Sequence, residues 1–132
     1  MNLPDVIHKT HAQQLNLQLA HWNITGPNFI ALHELLAEQY EELGDGIDAL
    51  AERHRHLQNL VPATALAGAP DVDGNWETML RTLVQGHEAL LDALHALEET
   101  AAAAGDPGTA DLATERIRAH HEHAWKLRAH LQ

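Results

Sequence analysis

Residues 19–36 read LAHWNITGPNFIALHELL, and this stretch decides the fold. Gly26 and Pro27 interrupt two segments whose apolar residues recur every three or four positions, the mark of amphipathic helices. In the first segment Ile7, His11, Leu15, Leu19 and Trp22 share a stripe, and Pro4 suits a first helical turn. Leu15, Leu17 and Leu19 alternate as in a strand, but the length of the segment and its Gln and Ala content favour a helix. A hairpin of two helices around Gly26-Pro27 would set His21 and His33 at the same end of the molecule. Each imidazole stands in apolar sequence, where an unpartnered polar ring is costly to bury. The pair is therefore a candidate half of a metal site.

The second segment runs over about residues 29–57, with Leu32, Leu36, Tyr40, Leu43, Ile47, Leu50, His54 and Leu57 on one side. Gly44 and Gly46 interrupt it at about 1 kcal/mol each relative to alanine, so the reading is one continuous helix with a close contact at the glycines. Residues 58–75, QNLVPATALAGAPDVDGN, form the one long connection. A third helix follows on Trp76, Leu80, Leu83, His87, Leu90, Leu94 and Leu97, closed by Gly105 as a C-cap. Asp106 or Thr109 then caps a fourth helix, whose stripe is Ala113, Ile117, His120, Ala124, Leu127 and Leu131. Four helices with one long middle connection predict an all-α four-helix bundle with a crossover, one domain over residues 1–132.

Composition narrows the function classes. No apolar run approaches the roughly 18 residues of a membrane span, and MNLPDVIHKT has no signal-peptide pattern, so the expected location is cytoplasmic. There is no cysteine, which excludes disulfides and thiolate ligands. Eight Lys and Arg against 19 Asp and Glu give a net charge of −11 with neutral histidines. Such a chain repels nucleic-acid phosphates, and the nearest basic group, Arg116, Arg118, Lys126 and Arg128, is interleaved with Glu115 and Glu122. Twelve histidines are a strong excess, explained by solubility, pH sensing or metal binding.

Metal binding gains force from GIDALAERHRHL, where Asp48 and Glu52 lie four residues apart on one helix face. Two imidazoles and two carboxylates suit iron(II). From His33 to Asp48, however, is about 22 Å along a helix, against metal–ligand bonds of about 2 Å. If the four act together, His21 and His33 of one subunit face Asp48 and Glu52 of another across a two-fold axis, with Gly44 and Gly46 easing the approach of helices near it.

AHWNITGPNF…LH followed by IDALAER resembles the Dps family of mini-ferritins, DNA-binding proteins from starved cells. TADL at 109–112 and Trp125 extend the resemblance into the fourth helix. It implies a ferritin-like bundle assembled as a hollow homo-dodecamer. Its intersubunit ferroxidase centres would oxidise iron(II) with hydrogen peroxide or oxygen and store the ferric product. By position, His21 and His33 would come from one subunit and Asp48 and Glu52 from the other, with zinc among other divalent metals such a site accepts. Trp22 would match the family's radical-intercepting tryptophan, and Asp111 and Glu115 its pore acids.

The chain departs from that family in three ways. A carboxylate usually follows the second histidine by four positions, and here Ala37 stands there. That departure sustains an alternative, a metal-storing or buffering shell with weak ferroxidase activity. The middle connection is shorter than the family's. No lysine-rich terminal extension is present, so DNA binding is not expected. His87 and His120 read as a satisfied core pair, bridged to each other, to Glu115 or to a carbonyl. His54, His56, His121 and His123 read as surface groups open to adventitious zinc or copper, and Trp76 and Trp125 as core or interface anchors.

Overall fold

The computed structural model describes residues 2–132. Four helices make the bundle: α1 (Leu3–Asn23), α2 (Phe29–His56), α3 (Trp76–Ala103) and α4 (Pro107–Ala129). A 3-10 turn, Ala63–Ala65, lies within the connection between α2 and α3. The sequence reading of an all-α bundle with a middle crossover holds, and α2 runs unbroken through Gly44 and Gly46.

Local chemistry fixes the ends. Asn2 and Asn75 cap α1 and α3 by accepting from Asp5 N and Thr78 N. Asp106 rather than Thr109 caps α4, accepting from the backbone N–H and the hydroxyl of Thr109. Gly105 ends α3 at φ +72, the left-handed conformation that glycine adopts without penalty. Gly26 matters more. Its φ is +123, and a Cβ there would stand 2.6 Å from Trp76 Cδ1, so the α1–α2 turn is closed by the first residue of α3 packing on bare backbone.

α1 packs along α2 and α3 along α4, as short connections require, and the two hairpins meet through α1 on α3 and α2 on α4. The crossover is strapped to α1 in ascending order. His8 Nδ1 donates to Thr64 O, His11 Nδ1 accepts from Ala67 N, and Asn16 Oδ1 accepts from Asp71 N and Val72 N. It thus travels beside α1 and returns the chain to the end where α2 began.

Two apolar clusters fill the interior. One gathers Leu17, Ala20, Leu32, Leu36, Leu43, Leu80, Leu83 and Leu127; the other gathers Val6, Ile7, Leu50, Leu94, Leu97, Ala113 and Ile117. The buried face of α1 differs from the expected stripe. It comprises Leu3, Val6, Ile7, Thr10, Gln13, Leu17 and Ala20, while His11, Leu15 and Leu19 are half-buried and Trp22 is 62% exposed. Thr10 and Gln13 can turn inward because both are satisfied there, by Val6 O and Leu83 O. Leu19 still packs on the edge of the first cluster, and Trp22, Phe29 and Ile30 are exposed large apolar residues near the α1–α2 turn.

The glycine expectation is half right. Gly46 is a close contact, but the group against it is the Arg116 guanidinium of α4, whose Cζ would be 2.4 Å from a Cβ, and Gly44 faces Gln14 of α1. Both face neighbours inside the chain.

Candidate metal centre

His21 sits in the last turn of α1 and His33 in the second turn of α2, and the Gly26 turn brings them face to face. Their rings stack with centroids 3.8 Å apart and planes 14° from parallel. Each binds the other's backbone: His21 Nδ1 donates to His33 O at 2.7 Å, and His33 Nδ1 donates to His21 O at 2.8 Å. A carbonyl oxygen only accepts, so both Nδ1 atoms carry the proton and both Nε2 atoms keep a bare lone pair. His21 O is one of the last carbonyls of α1, which lack intrahelical donors, and His33 satisfies it. Phe29 stacks on the outer face of His33 at 5.1 Å, and the Tyr40 ring stands edge-on to His21 at 5.4 Å. The imidazoles are held before any ligand arrives, by the kind of outer hydrogen bonds that orient metal-binding histidines.

Asp48 and Glu52 are exposed on α2, one turn apart, with no hydrogen-bond or ion-pair partner among the described residues. Arg53 does not pair with Glu52. It turns to α4, where its Nε donates to Thr109 Oγ1 and its guanidinium meets Asp106 at 2.7 Å. Because α2 is continuous, the histidine pair and the carboxylate pair stay about 22 Å apart along its axis. Among the described residues no three His, Cys, Asp or Glu side chains of the chain converge as a metal-ligand set. The structure thus brings together His21 with His33, and Asp48 with Glu52, but not the two pairs. Ala37 follows His33 by one turn and offers no ligand atom. Trp22 is exposed beside the pair, and Asp111 and Glu115 are exposed on α4.

A second polar group lies in the bundle interior, between the two apolar clusters. Arg116 grips Glu42 with both terminal nitrogens, and His123 Nε2 meets the same carboxylate at 2.7 Å. Burial pushes the Glu42 carboxyl up, but hydrogen bonds from His123 and Arg116, with the guanidinium charge, outweigh it and bring it to about 2. His87 hydrogen-bonds His120 between Nδ1 atoms at 2.9 Å and Gln39 Oε1 through Nε2 at 2.9 Å. Burial, then the neighbouring His120, His123 and Arg116, hold His87 well below the ordinary imidazole range; burial and then Arg116 lower His120 to about 3.

His87 and His120 are a core pair as expected and bond each other directly, but only His87 is satisfied at both nitrogens, through Gln39; His120 Nε2 has no partner among the described residues, and Glu115 is exposed on α4. His123 is not a surface residue but buried against Glu42. Trp125 is 63% exposed and so is no core anchor, whereas Trp76 packs on the first apolar cluster. Gln39, Glu42 and Arg116 escaped sequence reasoning because charged and amide side chains ordinarily mark a solvated face. Gly46 was the available signal, since a glycine inside a helix needs a neighbour that fills its space.

The ferritin-like domain family matches residues 2–132. A DNA protection during starvation protein of Brevibacillus brevis is 32% identical over 119 residues, spanning 85% of this chain and 80% of its own. Dps from Thermosynechococcus elongatus superposes with a TM-score of 0.92 at 32% identity, covering 98% of this chain and 87% of its own. A Dps protein of Vibrio cholerae, described as a member of a broad superfamily of ferritin-like diiron-carboxylate proteins, gives a TM-score of 0.88 at 29% identity, covering 98% of this chain and 86% of its own.

Proposed function

The chain belongs to the ferritin-like proteins and, within them, to the Dps family, and on that premise we propose that it oxidises iron(II) and stores the ferric product. The observation that carries this reading is the locked histidine pair. His21 and His33 spend their Nδ1 protons on each other's carbonyls and hold two bare Nε2 atoms ready. The two carboxylates that would complete the set, Asp48 and Glu52, are exposed on one helix with no partner among the described residues. Two nitrogens and two carboxylate oxygens form a mixed donor set of the kind iron(II) accepts, and zinc competes for it. The set closes when a second chain lies antiparallel across a two-fold axis, so that each dimer holds two centres.

Iron enters as substrate. Two iron(II) ions and two protons reduce one hydrogen peroxide to two waters, and oxygen is the alternative electron acceptor. The protein's part is to hold the ions with preset imidazoles and to confine the product. Trp22, next to His21 in the sequence and exposed, would intercept a stray oxidising equivalent. Twelve subunits would enclose the ferric product, with Asp111 and Glu115 drawing cations inward. The net charge of −11 favours cations over phosphate, so the reading is of peroxide protection in the cytoplasm without DNA binding. Ala37 favours a second reading, a storage shell that binds iron and oxidises it slowly.

Anaerobic iron(II) titration, followed by one equivalent of peroxide per two irons, separates the two. Binding with oxidation complete within seconds supports the ferroxidase; stoichiometric binding with slow oxidation supports the shell. A metal-free monomer by native mass spectrometry would sink both.

A further inference from the structure

The interior polar group is independent of the iron site, and its hydrogen bonds admit one arrangement of protons. Gln39 Nε2 donates to His123 O at 3.2 Å, which leaves Gln39 Oε1 as an acceptor toward His87. His87 Nε2 must then carry its proton, so His87 Nδ1 is bare and accepts from His120 Nδ1–H. His120 Nε2 ends the chain as a buried lone pair with no partner among the described residues, and Arg116 Nε is likewise unpaired among them. No ring nitrogens converge on a common point, and the cation that Glu42 faces is supplied by the chain itself, as Arg116. The cluster is therefore not built for a metal.

It is built to be neutral. The groups facing it are Gln39 and Glu42 from α2, His87 from α3, and Arg116, His120 and His123 from α4, with His121 contributing charge from the exposed side. From α1 the nearest is uncharged Gln13, held on Leu83 O and against Gly86. One carboxylate balances one guanidinium. A proton added at His87 Nδ1 would either set two N–H donors against each other at 2.9 Å or drive the His120 proton to Nε2, where no described residue accepts it. A proton added at His120 Nε2 would place a second cation beside Arg116, with Glu42 already taken. Either event puts an unbalanced charge into the buried group at which α2 meets the α3–α4 hairpin, and water reaches that charge only when the two part.

We infer that this network is an acid-operated release: in mildly acid medium, protons that His87 and His120 accept only once the network opens favour the state in which the α3–α4 hairpin is freed from α2, and so loosen the helix that carries His33, Asp48 and Glu52. Both groups titrate lower folded than unfolded, so the unfolded chain takes up the protons first. Their contribution is complete above the ordinary imidazole value of 6.5 and is lost as pH falls below it, toward about 3 for His120. Glu42 has the opposite linkage: its stabilisation is present above its ordinary 4.5 and lost as pH falls toward about 2. The window between pH 6.5 and 4.5 therefore belongs to the histidines.

The test is urea unfolding of the intact assembly at pH 7 and pH 5, at one protomer concentration, for wild type, His87→Gln and His120→Gln. Two buried neutral histidines raise the unfolding constant about 600-fold between those pH values, and one raises it about 25-fold, so each variant should show the smaller ratio. The same ratio in wild type and both variants would overturn the inference. A variant that does not fold leaves a wild-type measurement that decides alone: hydrogen exchange at pH 5 and pH 7, corrected for intrinsic rates. Protection lost at pH 5 in peptides covering 36–46, 83–94 and 113–127 supports the release; protection unchanged there overturns it.

Discussion

Replacing Gly46 by alanine tests the packing of α2 on α4 directly. In an open helix interior the change would stabilise by about 1 kcal/mol, because alanine loses less backbone freedom on folding. Here the new Cβ would stand 2.4 Å from Arg116 Cζ and 2.6 Å from its Nη2, distances no real Cβ tolerates. The arginine cannot swing away cheaply, since it is buried and clamped on Glu42. Overpacking of a filled site costs about 1–3 kcal/mol, and loosening a charge-assisted hydrogen bond adds about 1.5–3. The expected net is a loss of about 2–3 kcal/mol. Gly44→Ala is the control: its Cβ meets only Gln14 Nε2 at 3.0 Å, the far end of a flexible side chain with one bond to Tyr40 O to adjust, so most of the propensity gain should survive. Urea unfolding followed by helical circular dichroism, at one protomer concentration, should therefore separate the two variants by about 3 kcal/mol. In an Arg116→Leu/Glu42→Leu background the penalty at position 46 should vanish. If Gly46→Ala is as stable as Gly44→Ala in the wild-type background, the account of this interface is wrong.

Three further outcomes follow from the same structure. Ala37→Asp places a carboxylate one turn beyond His33 and should raise iron(II) bound per subunit in anaerobic titration, with faster oxidation; unchanged stoichiometry would count against Ala37 as the missing ligand position. Gly105→Ala should lose about 1 kcal/mol to its left-handed conformation alone, whereas Gly26→Ala meets both strain and Trp76, should lose more, and should also weaken metal binding by displacing His21 from His33. A gel-shift at low salt should show no DNA retardation, and retardation that weakens with added salt would refute the charge argument.

How far the sequence reaches depends on what kind of residue carries the information. The helices and crossover were legible because leucines at three- and four-residue spacing in α2 and α3 leave one face to bury. α1 was misread because it has two usable faces, and Thr10 and Gln13 could be buried once each found a carbonyl. The pairing of His21 with His33 was legible from the Gly26-Pro27 break. Their reciprocal bonds were not, since these depend on the depth of the turn that Trp76 closes. The interior network was least legible: Glu42, Arg116 and His123 compensate one another across 74 and 81 residues of sequence, and no local pattern reports that.

The central claim is that one centre takes its ligands from two chains, and subunit complementation tests it most directly. A variant lacking the histidines, His21→Ala/His33→Ala, and one lacking the carboxylates, Asp48→Asn/Glu52→Gln, should each fail to bind iron(II) tightly. Unfolded together in equal amounts and reassembled at random, half of the dimers are mixed, and each mixed dimer regenerates one intact centre of two. The account predicts about one quarter of the wild-type iron(II) binding by anaerobic titration. Reassembled mixtures that bind no more than the separate variants would contradict it.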